Sequence, residues 1–167
     1  MLGPAILALC MAAPLHIGAH LDRPRLAGEG SFTWFGLALY DARLWVGEQG
    51  YQAGAPFVLE LRYARRLDGA RIAEASAGQM EKAGAGTPAQ RAAWLARMRA
   101  IFPDVQEGSR IAGAYLPGGG ARFYLDGKPL ASVPDPAFAD AFFGIWLGAG
   151  ASAPGLRAAL LKDGAPR

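Results

Sequence analysis

The sequence predicts an α+β domain with a mainly antiparallel sheet. Three observations carry that class. The predicted elements run in blocks (strands, two helices, strands, two helices) rather than in strict strand–helix alternation. An Asp126-Gly127 pair between two strand-like runs is a two-residue hairpin signal. The chain has 167 residues, 52% of them hydrophobic and only 19% charged, which supports one buried core and excludes a disordered polypeptide. No internal repeat, linker or second domain is visible, so residues 20–167 read as a single unit.

Residues 32–45 (FTWFGLALYDARLW) have the aromatic and apolar density of a long strand or hairpin arm. With period two, Phe35, Leu37 and Leu39 make one apolar face, while Phe32, Trp34, Gly36, Ala38 and Tyr40 make the other. Both faces read as buried. In residues 57–63, Phe57, Leu59, Leu61 and Tyr63 alternate with Glu60 and Arg62, the pattern of a half-exposed strand. Residues 68–81 read as a helix, with Asp68 as its cap. Thr87-Pro88-Ala89-Gln90 carries the best local signature: a capping hydroxyl, Pro at the first helical position and Gln at the third. Trp94, Leu95, Met98, Ile101 and Phe102 follow as an apolar stripe, and Pro103 stops the helix. Residues 109–116, 121–125 and 128–133 read as strands. Asp135-Pro136 caps a helix over 137–147, with Phe138, Phe142, Ile145 and Trp146 as its stripe, and Ser152 caps a last short helix through Leu161.

Composition removes several function classes. The single cysteine, Cys10, and both histidines, His16 and His20, lie in the first twenty residues. The remaining chain therefore offers no disulfide framework, no Cys/His zinc site, no Cys–His pair and no Ser-His-Asp triad. Asp104 and Glu107 share one loop, but two carboxylates do not make a calcium site, so neither a metal nor a cofactor is expected. The net charge is +3, yet no basic run exceeds Arg65-Arg66, which falls short of a nucleic-acid patch. No apolar run reaches the roughly 18 residues that a membrane-spanning helix needs.

Residues 1–19 read as a secretory signal peptide. Residues 5–13 are apolar, Ala12, Ala13 and Ala19 offer small-residue exits, and the first charged side chain is Asp22. No Lys or Arg precedes the apolar run. The expectation is export to the periplasm, with a mature chain that begins between Ala13 and Leu21 and carries no thiol.

Several motifs stand in register along the chain: residues 30–45 with the Tyr40-Asp41-Ala42-Arg43-Leu44-Trp45 run, and Leu59-Glu60-Leu61-Arg62-Tyr63-Ala64-Arg65. Phe102-Pro103-Asp104-Val105 with Gly108-Ser109-Arg110, Phe142-Phe143-Gly144-Ile145-Trp146-Leu147-Gly148 and Ser152-Ala153-Pro154-Gly155-Leu156-Arg157 complete the set. Together they resemble the chalcone isomerase-like family, in its bacterial exported branch. The resemblance covers roughly residues 25–161 and implies an open-faced β-sandwich, a large antiparallel sheet covered by a helical layer. Plant members cyclise chalcones with an Arg, a Thr and a Tyr/Asn pair. Here Arg23 or Arg25 falls near the Arg position and Phe35 near the Thr position. Residues 70–77 contain neither Tyr nor Asn, and the chain contains no Asn at all. The catalytic set is absent as a set, so no catalytic residue is assigned. Other members of the superfamily bind fatty acids without catalysis.

The first reading is therefore a non-catalytic binder of a small hydrophobic or fatty-acid-like ligand, with Trp34, Gly36, Ala38, Tyr40, Tyr63 and Arg65 as its candidate residues. Gly36 and Ala38, small between aromatics, leave room for such a ligand or for a closely packed helix. Arg65 has the guanidinium fork that fits a carboxylate, and also suits an ion pair with a neighbouring acid. Arg43 lies two residues from Asp41 on one strand face, which predicts a surface pair. The competing classes are an isomerase or lyase with a different catalytic set, using Arg and Tyr on an enolate, and a cell-envelope interaction module with a filled core. The protein partner of such a module is not named by the sequence.

Overall fold

A computed structural model describes residues 12–167. Most of the apolar centre of the expected signal peptide lies outside them. After a short helix α1 (Leu15–Gly18) come β1 (Arg25–Trp34), β2 (Leu37–Val46) and β3 (Phe57–Tyr63). Helices α2 (Gly69–Lys82) and α3 (Pro88–Ile101) follow. The chain continues through β4 (Arg110–Leu116), β5 (Gly120–Leu125), β6 (Lys128–Val133), α4 (Pro136–Leu147) and α5 (Pro154–Leu160). The six strands form one sheet in sequence order, every neighbouring pair antiparallel. The α2–α3 excursion interrupts the meander without changing it, because β3 and β4 still pair from Phe57↔Tyr115 to Arg62↔Arg110.

Local chemistry places most of these boundaries. At α3 the capping box is complete: Gln90 N donates to Thr87 Oγ1 at 3.1 Å, and Thr87 N donates to Gln90 Oε1 at 2.9 Å. Asp135 Oδ1 accepts from Ala137 N and Phe138 N at the start of α4. Asp126 (φ 49°) and Gly127 (φ 83°) turn β5 into β6. Two expected caps are corrected. Asp68 holds the N-cap position of α2 but makes no side-chain cap bond. The Gly69 N–H donates instead to Asp104 Oδ1, 35 residues away, at 2.8 Å. Ser152 does not cap α5, whose N-cap is Ala153 and whose first turn opens with Pro154.

The core lies between one sheet face and the helices. Ala42, Leu44 and Val46 of β2, Leu59 and Leu61 of β3, and Phe123 of β5 meet Phe138, Phe142, Phe143 and Trp146 of α4. The α5 helix rests on the first half of β1.

The other sheet face is covered too. Ile17 (0% exposed) and Leu21 pack on Trp45, Val58, Ala112, Ala114 and Tyr124. This corrects the half-exposed reading of β3. Val58 is fully buried, and Glu60 is only 4% exposed, with His16 Nε2 3.9 Å from its carboxylate. The predicted Arg43–Asp41 pair is also corrected: Arg43 Nε reaches Glu29 Oε2 at 3.0 Å, and Asp41 accepts from the Ser31 hydroxyl at 2.6 Å. Both partners come from β1, because cross-strand neighbours approach more closely than residues two apart on one strand.

His20 fixes the end of this cover, with Nε2 2.6 Å from the Tyr124 hydroxyl. Burial, then the charge of Arg122 and the neighbouring His16, hold its imidazole below the ordinary 6.5. The folded chain thus binds a proton at His20 less readily than the unfolded chain. Its contribution to stability is present above the ordinary value and is lost as pH falls from there through the folded pKa. The melting temperature should fall between about pH 7.5 and about pH 5, and His20→Gln should flatten part of that fall. Equal pH dependence in both proteins would exclude His20 as the titrating group.

Candidate functional site

Residues 32–40 are a hairpin tip and not one continuous strand. Phe35 (φ 47°) and Gly36 (φ 75°) both occupy the left-handed region, the backbone of a two-residue type I′ turn. Thr33 pairs with Ala38, and Trp34 with Leu37. The period-two face containing Trp34, Gly36, Ala38 and Tyr40 is thereby broken in the middle. The β1–β2 arm also outruns the sheet, because β2 pairs with β3 only from Tyr40↔Tyr63 inward. Beyond that point neither face is buried. Trp34 is 60% exposed, Phe35 85% and Leu37 49%.

The six sequence-predicted residues divide accordingly. Tyr40 and Tyr63 come together as cross-strand partners on the helix side of the sheet, their rings edge to face with centroids 6.0 Å apart. Phe32 stacks on Tyr40 at 5.2 Å, and Trp146 of α4 donates its indole N–H to the Tyr40 hydroxyl at 2.9 Å. Trp34, Gly36 and Ala38 lie outside this group on the exposed tip, and nothing comes within 4 Å of a Cβ placed on Gly36. No helix is packed over Gly36. Arg65 is exposed beside the arm and donates from Nε to the Ala38 carbonyl at 3.3 Å.

Burial pushes the Tyr40 phenol up to about 12, against the smaller opposing pull of the Trp146 hydrogen bond. Tyr63 is raised further, by burial first and by neighbouring Tyr40 second. Both rings therefore remain neutral hydroxyls at physiological pH. The Trp146 bond uses a lone pair of the Tyr40 oxygen and leaves its proton available to donate. Chemically this is an aromatic wall with a hydrogen-bond donor at its edge. It is placed where the helical layer ends: Ala42 and Leu44 are fully buried, Tyr40 and Phe32 partly so, and Trp34 is open.

Arg23 and Arg25 stand at the opposite end of the hairpin, where Arg25 pairs with Val46. Arg23 meets Glu48 at 3.3 Å, and Arg25 binds the carbonyls of Asp163 and Ala165. Neither faces Tyr40. Asp104 is engaged at the start of α2. Two open cavities lie elsewhere and include none of the six residues. One, about 370 Å³, runs between α2 and α3 along Glu74, Ala77, Arg91 and Leu95. The other, about 450 Å³, lies beside α1 along His16, Glu60, Arg110 and Asp126.

Sequence reasoning missed Trp146 as a member of this group. Its spacing from Phe142 marks a core stripe, and no local signal links it to a tyrosine 106 positions away.

Comparison with known proteins gives two findings. The model of a family described as chalcone isomerase-like matches residues 26–162. A solved fatty-acid binding protein of Arabidopsis thaliana superposes with a TM-score of 0.66 at 13% identity, covering 86% of this chain and 89% of that one. A search of curated proteins returns no match.

Proposed function

Because the chain belongs to the chalcone isomerase-like family, whose model spans residues 26–162, we propose that it is a non-catalytic binder of a fatty-acid-like ligand. The observation that carries this reading is the aromatic cluster at the end of the helical layer, where part-exposed Phe32 and Tyr40 are backed by buried Tyr63 and Trp146. An acyl chain fits aromatic and aliphatic side chains. A carboxylate fits the free proton of the Tyr40 hydroxyl and the terminal nitrogens of Arg65. The fatty-acid binding neighbour shares the fold and supports the same reading. The isomerase alternative is weaker. A phenol raised to about 12 is far from the operating pH at which a general base is effective.

Export belongs to the same proposal. The burial of Ile17 and Leu21 on the outer sheet face supports a mature chain that keeps Pro14 onwards, so the signal would end at or before Ala13.

Native mass spectrometry of the protein purified from its own periplasm tests both parts. The expected result is a mature mass starting near Pro14, with a releasable fatty acid bound. Tyr40→Phe should then weaken palmitate binding by about 10- to 100-fold, the worth of a hydrogen bond to a charged group. An intact Met1 from that fraction would count against export. A parent protein that carries no lipid and binds no palmitate would sink the ligand reading.

A further inference from the structure

We propose that the β1–β2 tip is a membrane-docking element, inserting Trp34, Phe35 and Leu37 into the interface of an anionic lipid bilayer. Among the described residues four large apolar side chains are strongly exposed, and three of them are Trp34, Phe35 and Leu37. They surround one turn that projects past the body of the sheet. Scattered exposed apolar residues are ordinary, whereas clustering at one protruding apex is not.

The turn chemistry strengthens the case. A type I′ turn wants Asn, Asp or Gly at its first central position, where φ is positive. Phe35 sits there at φ 47°, a conformation costly for a bulky side chain, and its ring is 85% exposed. Neither turn propensity nor core packing accounts for a phenylalanine at this place. A surface that buries the ring on contact does.

Charge selects the occupant. Arg65 and Arg66 are exposed in the loop beside the arm, and Arg65 is tied to it through the Ala38 carbonyl. Neither has a carboxylate partner among the described residues, whereas Asp68 is engaged by Arg71 and Asp41 by Ser31. An apolar apex with unpaired guanidinium groups behind it matches acyl chains beneath anionic headgroups. The Trp34 indole has the amphipathic character found at such interfaces. A convex tip is poorly shaped to cover a flat protein face.

Vesicle binding by the full chain tests this without any added fatty acid, so it stands or falls separately from the ligand reading. Trp45, Trp94 and Trp146 are buried, so Trp34 is the tryptophan placed to report contact with lipid. Equimolar phosphatidylglycerol and phosphatidylcholine vesicles should blue-shift its emission and carry the protein into the pellet. Pure phosphatidylcholine vesicles should do so far less. Phe35→Asn supplies the residue the turn prefers and removes the ring. It should melt at the same temperature or higher and bind anionic vesicles about tenfold or more weakly, the loss of one buried phenyl group. Arg66→Ala should weaken binding in the same vesicles with no change in melting. Absent binding by the parent, or undiminished binding by Phe35→Asn, overturns the proposal. So does a dimer in sedimentation velocity that Phe35→Asn dissolves, because the tip would then be covered by a second copy.

Discussion

Phe123→Ala should lower the melting temperature by about 6–20 °C, among the largest effects of any single truncation in this chain. Phe123 is 1% exposed in the middle of β5, one strand in from the sheet's edge. Its ring meets Phe102, Phe138 and Phe142 edge to face at centroid distances of 5.3, 6.4 and 5.2 Å. These three partners come from the end of α3 and from α4, so one side chain joins the sheet to both helical segments. Removing it deletes the transfer energy of a phenyl group and leaves a cavity that those elements cannot readily close. Such changes cost about 3–5 kcal/mol. At about 2–4 °C per kcal/mol for a domain of this size, the stated range follows. The space is also bounded across the sheet by Gly113, where an added Cβ would lie 3.2 Å from the Phe123 ring and 3.0 Å from Phe143. Phe123→Leu, which keeps most of the volume, should cost markedly less. Equal melting of the parent and the alanine variant would show that this aromatic cluster does not hold the two layers together.

Features whose causes are local were legible in the sequence. Thr87-Pro88-Ala89-Gln90 fixes the start of α3 through atoms three residues apart, and Asp126-Gly127 fixes a turn through its own backbone preferences. The antiparallel sheet and helical layer followed from element order and from the family resemblance. What escaped had distant or atypical causes. Phe35-Gly36 lacks the Asn or Asp that normally marks a type I′ turn, so residues 32–45 looked like uninterrupted alternation. The capping of α2 by Asp104 depends on a loop 35 residues downstream. The burial of Val58 and Glu60 depends on α1 and the residues around it, within a segment whose composition reads as a leader. Of the six candidate residues, Tyr40 and Tyr63 meet because their strands pair in register. Trp34, Gly36 and Ala38 stand apart because the turn comes before the alternation can continue, and Arg65, just past the end of β3, reaches the arm at the Ala38 carbonyl.

Gly28→Ala should release α5 from β1 and cost about 3–6 kcal/mol. Gly28 is not at a positive φ, so its backbone accepts a side chain, and the obstacle is purely spatial. A Cβ there would lie 2.0 Å from the Ala159 carbonyl oxygen and 2.5 Å from that of Leu160. Both are backbone atoms of one helix end and cannot rotate away. The helix must therefore lift as a body. With it go Leu156 and Leu160, both buried, each worth about 1.5–3 kcal/mol of burial. The Asp163 N–H bond to the Ala27 carbonyl and the Arg25 contacts with the C-terminal carbonyls would be strained at the same time. Gly30→Ala is the control. Its Cβ would meet the Leu156 Cδ1 at 2.8 Å and the Ala159 Cβ at 3.2 Å, side-chain atoms of which the leucine end can turn aside. Hydrogen exchange should therefore show residues 154–165 losing protection in Gly28→Ala while β3–β5 keep theirs, with a smaller change in Gly30→Ala. Because the β1–β2 turn is held by its own ladder, binding to anionic vesicles should survive in both variants. Unchanged protection of α5 in Gly28→Ala would mean that the helix does not depend on the close approach that this glycine permits.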